Sequence, residues 1–180
     1  MNNKLNIGII LGSTRQGRVS PQVGKWVLDL ATQREDANYE IVDIKDYNLP
    51  LLGEGPAEKF ADWKSKIASL DGFVFIVSEY NHSIPASLKN ALDYLQPEWN
   101  NKAAGIVSYG STGGARAAEH LRGILGELSI ADVRTHPTLS LFLDFENFSV
   151  FKPQELHKKN INLMLDQINA WSTAFKTLRK

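Results

Sequence analysis

Short, nearly unbroken apolar runs alternate along this chain with stretches whose apolar positions return every third or fourth residue. The runs predict strands at Leu5–Leu11, Tyr39–Ile44, Phe73–Val77, Ala103–Tyr109 and Val133–Leu141. The last is less regular because Pro137 interrupts it. The stretches between predict helices. Val23, Trp26, Val27, Leu30 and Ala31 form the first stripe, with Ser20 as its N-cap and Pro21 as its first helical residue. A second opens at Pro56 and carries Phe60, Trp63 and Ile67; a third carries Ile84, Leu88, Ala91, Leu92 and Leu95. Ala115–Leu128 is the fourth, and Ile161, Leu165, Ile168, Trp171, Phe175 and Leu178 stripe the last. Trp26, Trp63 and Trp171 read as core-facing positions on these helices. Asp46–Gly55 and Asp144–Lys152 read as loops, the second bearing Phe145, Phe148 and Phe151.

Strict alternation of strand and helix implies a parallel sheet covered on both faces, with right-handed crossovers. The expected fold is α/β: a flavodoxin-like three-layer sandwich with a five-stranded parallel sheet of order 2-1-3-4-5. The chain has 180 residues and no repeat or low-complexity linker, so residues 1–180 read as a single domain. In such sheets ligands bind outside the carboxyl ends of the strands, at the switch point between the first and third.

Composition narrows the function classes. Lys and Arg number 20 against 20 Asp and Glu, which argues against the basic face of a nucleic-acid binder. With no cysteine, disulfides, thiolate catalysis and iron–sulfur ligation are excluded. No apolar run approaches the roughly 20 residues a bilayer span needs. The N-terminal run reads as the first strand rather than a signal peptide, and a cytoplasmic setting is expected.

Three strand-to-helix loops carry the candidate chemistry. The first, Gly12 to Ser20, combines small and hydroxyl residues with Arg15 and Arg18 at a helix start. Converging N–H groups and the positive end of a helix suit a phosphate. A plain turn with solvated arginines is the alternative. Gly12 and Gly17 have P-loop spacing, but Arg18 and Val19 replace its Lys and its magnesium-binding hydroxyl, which disfavours a nucleoside triphosphatase. No G-x-G-x-x-G follows a strand, so a dinucleotide fingerprint is also unsupported. In the third-strand loop, Ser78, Glu79, Tyr80 and Asn81 suit the polar edge and face of a flat heterocycle, or else Tyr80 merely covers the core. The fourth, Ser108 to Gly114, lets backbone approach a ligand closely, or serves only as a tight joint. The histidines, His82, His120, His136 and His157, lack metal-ligand spacing. Asp43 reads as a surface-turn residue, although it stands where a ribose could lie.

The segments GSTRQGR followed by SP, EYNHSIPASLKNALDYL and SYGSTGGARA resemble the NADPH-dependent FMN reductase family, including its quinone- and chromate-reducing members. The resemblance runs from the first strand through the fourth helix. It implies that Ser13, Arg15, Gly17, Arg18 and Ser20 hold the phosphate of FMN. Ser78, Glu79, Tyr80 and Asn81 would border its isoalloxazine, and Ser111, Gly113 and Gly114 would close over the pyrimidine edge. The family usually has Pro before Glu-Tyr-Asn, and Ser78 stands there in this chain. The implied activity is an NAD(P)H oxidoreductase: NADPH or NADH gives a hydride to flavin N5, and a quinone or similar acceptor takes two electrons. The flavin carries the chemistry, so no side chain is assigned as a catalytic acid or base. Arg18 and Arg116 are candidates to hold the dinucleotide phosphate. The resemblance also implies a homodimer or homotetramer, with the third helix and Gln96–Asn100, Trp99 included, as the expected contact. A flavodoxin-type electron carrier or a non-catalytic FMN-binding protein shares fold and cofactor. Carriers are usually acidic, and this chain has no net charge.

Overall fold

The computed structural model describes residues 4–179. Its strands β1 (Leu5–Leu11), β2 (Ala37–Asp43), β3 (Gly72–Ser78) and β4 (Lys102–Gly110) are all parallel, and β5 (Ile130–Asp132) completes the order β2-β1-β3-β4-β5. This is the expected flavodoxin-like topology. β3 and β4 are buried along their whole length, which explains why they read as unbroken apolar runs.

Helices α1 (Ser20–Ala31) and α5 (Leu156–Phe175) cover one face; α2 (Ala61–Ser69), α3 (Ala86–Asp93) and α4 (Ala115–Glu127) cover the other. Alternate residues of each strand serve the two sides. Ile9, Val74, Ile76 and Val107 face α1 and α5, while Ile10, Phe73, Phe75 and Ile106 face α2, α3 and α4. Gly105 lets α5 settle onto the sheet: a Cβ there would stand 2.7 Å from Met164 and Ile168.

The expected strand Val133–Leu141 is two pieces. β5 pairs with the start of β4, and β6 (Thr138–Ser140) pairs with its end. Between them Val133 N–H donates to the Ala104 carbonyl at 2.8 Å, and Ser108 N–H donates to the Pro137 carbonyl at 3.1 Å. Pro137 has no N–H to give to a ladder, so the chain leaves the sheet around it. The expected loop Asp144–Lys152 contains a small hairpin, β7 (Phe145–Glu146) with β8 (Val150–Phe151). It rests on α1, where Gln22 bonds Ser149 and Phe151 and the rings of Trp26 and Phe151 meet edge-on at 5.4 Å.

Two tryptophans lie elsewhere than the pattern suggests. Trp171 is 42% exposed on the outer side of α5. Trp99, expected at a contact between chains, is fully buried. Its ring stands 5.0 Å from Phe73 and 5.9 Å from Trp63, and its Nε1 donates to the Leu92 carbonyl. An indole with its N–H satisfied inside the core has nothing left for a partner chain. Among the described residues, no helix is long and apolar enough to cross a membrane.

Candidate functional site

The carboxyl ends of β1, β3 and β4 bring the three predicted loops together at one edge of the sheet. Register fixes the arrangement: Leu11 lies beside Ile76, and Ser78 lies beside Tyr109. Loop one follows β1, and loops three and four follow the next two strands in spatial order.

Loop one carries a run of unpartnered donors. The N–H groups of Ser13, Thr14, Arg15, Gln16 and Gly17 have no protein partner among the described residues, whereas Gly12 and Arg18 on either side are bonded. Gly17 turns at φ +72 and Arg18 N–H closes the turn on the Arg15 carbonyl. Unpartnered donors gathered at the start of a helix make a candidate anion nest. Ser13 is fully buried and its hydroxyl meets the Tyr80 hydroxyl at 2.8 Å. Arg15 is exposed, with its guanidinium 5.5 Å from the centre of the Tyr80 ring. Ser13, Thr14, Arg15, Tyr80, Pro85, Ala86 and Ser87 line a cleft of about 290 Å³ between loops one and three.

Two expectations for this loop change. Ser20 is the first helical residue, not the cap, and its buried hydroxyl finds no partner among the described residues. Val19, whose carbonyl accepts from Gln22 and Val23, is the cap. Arg18 is turned away from the nest. It grips the Asp43 carboxylate with both terminal nitrogens and also donates to the Ser13 carbonyl. Asp43, read as a turn residue, is therefore the anchor that joins the end of β2 to loop one. Nothing in the sequence spacing links residues 18 and 43; only the adjacency of β1 and β2 does.

Loop three is a tight turn. Tyr80 and Ser83 exchange backbone hydrogen bonds at 3.0 and 3.1 Å, with Asn81 and His82 both at positive φ. Glu79 N–H donates to the Tyr109 carbonyl, extending the β3–β4 ladder into the site. The Glu79 side chain is only 4% exposed and pairs with Arg116 on α4. Arg116, a candidate for a dinucleotide phosphate, is thus engaged by a carboxylate, as Arg18 is.

Loop four is held from below. The Ser108 hydroxyl donates to the Gly113 carbonyl at 2.6 Å and meets His136 Nε2 at 2.8 Å. The one hydroxyl proton is used on Gly113, so Nε2 carries the proton in the second bond. Burial holds the His136 pKa down to about 4, with Arg122 adding to the effect. Gly113 and Gly114 have φ +70 and +72, and a Cβ on Gly114 would stand 2.7 Å from Tyr109 N. Ser111 and Thr112 are exposed, and their N–H groups have no protein partner among the described residues.

All twelve expected site residues therefore lie on the three loops or at their roots. Ser13, Arg15 and Tyr80 line the cleft, Gly17 turns loop one, Asn81 lies in loop three, and Ser111, Gly113 and Gly114 lie in loop four, while Arg18, Ser20, Ser78 and Glu79 are engaged or buried beneath the loops. Sequence reading missed Asp43, His136 and Tyr109 as supports. The unpartnered N–H groups of loop one, the exposed Arg15 beside Tyr80 and the side-chain-free approach at loop four fit a phosphate joined to a flat ring, as in FMN.

The profile described as NADPH-dependent FMN reductase matches residues 5–143. The chain belongs to that family. An NAD(P)H-dependent FMN reductase of Schizosaccharomyces pombe is 35% identical over 179 residues, covering 94% of this chain and 90% of that protein. A quinone reductase of Escherichia coli strain K12 is 34% identical over 137 residues, covering 69% and 71%. Among solved structures, a flavoenzyme NAD(P)H:(acceptor) oxidoreductase of Paracoccus denitrificans superposes with a TM-score of 0.74 at 21% identity, covering 95% and 98%; this likeness speaks for the fold. Family membership makes the chain an oxidoreductase with FMN and NAD(P)H as its cofactors.

Proposed function

We propose that this protein binds FMN in the nest and cleft between loops one, three and four and passes two electrons from NAD(P)H to a quinone or similar small acceptor. The observation that carries the reading is the row of unpartnered N–H groups from Ser13 to Gly17 at the switch point of the sheet. When bound, FMN supplies the redox chemistry, accepting a hydride at N5 from NAD(P)H and delivering electrons onward.

The chain's residues bind and orient. The loop-one N–H groups and Arg15 hold the phosphate, Ser13 and Tyr80 lock loops one and three together, and Glu79 to Asn81 border the ring. Ser111, Gly113 and Gly114 meet the pyrimidine edge. There the amino end of α4 favours negative charge without any acid or base. Self-association as a homodimer or homotetramer and a cytoplasmic setting belong to the same reading. A solution mass equal to one chain overturns the former.

The test is a visible spectrum of the protein after FMN addition and desalting, before and after anaerobic NADPH, then after a quinone. Retained flavin that bleaches with NADPH and recolours with quinone supports the proposal. Retained flavin that NADPH leaves yellow points to a non-catalytic binder, and loss of flavin on desalting removes the nest as a tight FMN site.

A further inference from the structure

The hairpin of β7 and β8 and the turn leading into it present Phe142, Leu143 and Phe148, each more than half exposed. The Phe142 and Phe148 rings meet edge-on at 5.6 Å. Large apolar side chains gathered in water mark a binding surface. Looseness is not the reason for their exposure. The buried Asp144 carboxylate accepts from the Ser140 N–H at 2.8 Å and the Gln154 N–H at 3.1 Å, and bonds His157 Nε2 at 3.0 Å. One carboxylate thus ties down both ends of the segment, and Lys152 N–H closes the hairpin on the Asp144 carbonyl. Phe145 and Phe151 turn inward instead, packing on each other and on Tyr109 and Trp26 respectively.

The hairpin tip is strained. Ser149 N–H donates to the Glu146 carbonyl at 3.1 Å, with Asn147 at φ +49 and Phe148 at φ +56. Two left-handed central residues are the pattern of a type I′ turn, whose second position favours glycine. A phenylalanine there costs stability, and an exposed ring recovers little of it by burial. Strain held at a clamped, exposed position points to a use for the ring.

That position is the rim of the candidate site. Ser140, the last residue of β6, is the register partner of Gly110, and Leu141 N–H donates to the Gly110 carbonyl. Phe142 therefore leaves the sheet beside loop four, at the edge where loops one and three also emerge. At the other end Gln22, in the first turn of α1 just after loop one, holds the Ser149 carbonyl next to Phe148. Of the segment's charged residues, Glu146 and Lys152 pair with each other and Asp144 is buried. The rim suits a neutral, apolar group.

We propose that Phe142 and Phe148 form an acceptor subsite: they take the apolar tail or fused ring of a neutral quinone whose carbonyl-bearing ring lies at the flavin. The inference rests on the quinone reduction proposed above and names its substrate class, a lipophilic quinone. The redox balance is unchanged: the quinone gains the hydride that NADPH gives up and one proton from water.

The experiment titrates the FMN-loaded protein, without NADPH, with a methyl-substituted benzoquinone and with the same ring carrying a decyl chain. Wild type, Phe142→Ser and Phe148→Gly are compared, with FMN affinity, solution mass and thermal melts of each. The wild type holds the tailed quinone at least about tenfold more tightly than the short one. Each variant loses about five- to tenfold for the tailed quinone and stays within about twofold for the short one. Phe148→Gly melts no lower than the wild type, because glycine suits the turn, so its loss does not come from unfolding. Equal wild-type affinity for the two quinones, or unchanged affinity for the tailed one in both variants, overturns the inference. Weakened FMN binding in the variants overturns it too and makes the rings part of the flavin site. A variant mass below that of the wild type overturns it by assigning the rings to a contact between copies. A wild-type chain that retains no FMN, or whose flavin does not cycle between NADPH and the short quinone, removes the underlying reading and the inference with it.

Discussion

Arg18 and Asp43 are joined guanidinium to carboxylate through both terminal nitrogens, one of the bonds at 2.6 Å, with side chains 11% and 15% exposed. The pair turns a residue expected to bind phosphate into a brace for the loop proposed to bind it. A direct phosphate ligand and a brace differ in what happens when the partner is removed. If Arg18 braces, Asp43→Ala and Arg18→Ala each weaken FMN by about three- to tenfold, since either change loosens the same loop. If Arg18 contacted phosphate, Asp43→Ala would free a cation and tighten binding. Titration of the apoproteins with FMN decides between them.

Gly114 and Gly123 lie near and within the same helix but respond oppositely to alanine. At Gly114 a Cβ meets Tyr109 N at 2.7 Å and O at 2.8 Å, with φ +72, so neither space nor conformation is available. Gly114→Ala is expected to cost about 2–4 kcal/mol and to release flavin. Nothing lies within 4 Å of a Cβ at Gly123, inside α4. Gly123→Ala is expected to gain about 0.5–1 kcal/mol without changing flavin affinity. Denaturant melts of the two variants check both signs.

These contrasts mark where the sequence is readable and where it is not. β3 and β4 were evident because strands buried on both faces must be apolar throughout, and the loops at their ends could be located from them. The fifth strand broke at Pro137, a local signal whose consequence depends on how β4 accommodates the detour. Trp99 follows α3 in sequence, and no periodicity tells whether an aromatic after a helix turns outward or under the sheet. The support shell is harder still. Arg18 with Asp43, and Ser108 with His136, are brought together by strand order and register, and their spacing in sequence carries no trace of it.

His136 gives the fold a sensitivity to acid. The folded protein keeps this ring neutral down to about pH 4, because the site is buried and Arg122 lies near. The unfolded chain takes up the proton near pH 6.5. Between these values the unfolded state binds more protons, so stability falls as pH falls from about 6.5 to about 4 and this group adds no further loss below that. Up to about 3 kcal/mol is at stake. His136→Gln, which keeps an N–H for Ser108, should remove that part of the slope. Melts of both proteins across the window check it: a difference between them that stays constant with pH overturns the assignment.

Glu79 is a carboxylate buried at the edge of the candidate site, and Arg116 is its counter-ion. The asymmetry between them decides which variant is tolerated. Glu79 is 4% exposed and one of its oxygens has no hydrogen-bond partner among the described residues, while Arg116 is 41% exposed. Removing Arg116 leaves a charge in the interior without compensation; neutralising Glu79 leaves a cation that water can reach. Arg116→Ala should therefore destabilise the fold by about 1–2 kcal/mol, less than a fully buried pair would lose because half-exposed Arg116 is screened. Glu79→Gln should cost less, since the amide keeps the shape. In Glu79→Gln/Arg116→Ala the stranded charge is gone, so the double variant should be more stable than Arg116→Ala alone. A double-mutant cycle by chemical denaturation measures this directly. Simple additivity of the two losses would mean that the two side chains do not couple, and that Arg116 stabilises the fold through its packing on α4 and not through the Glu79 carboxylate.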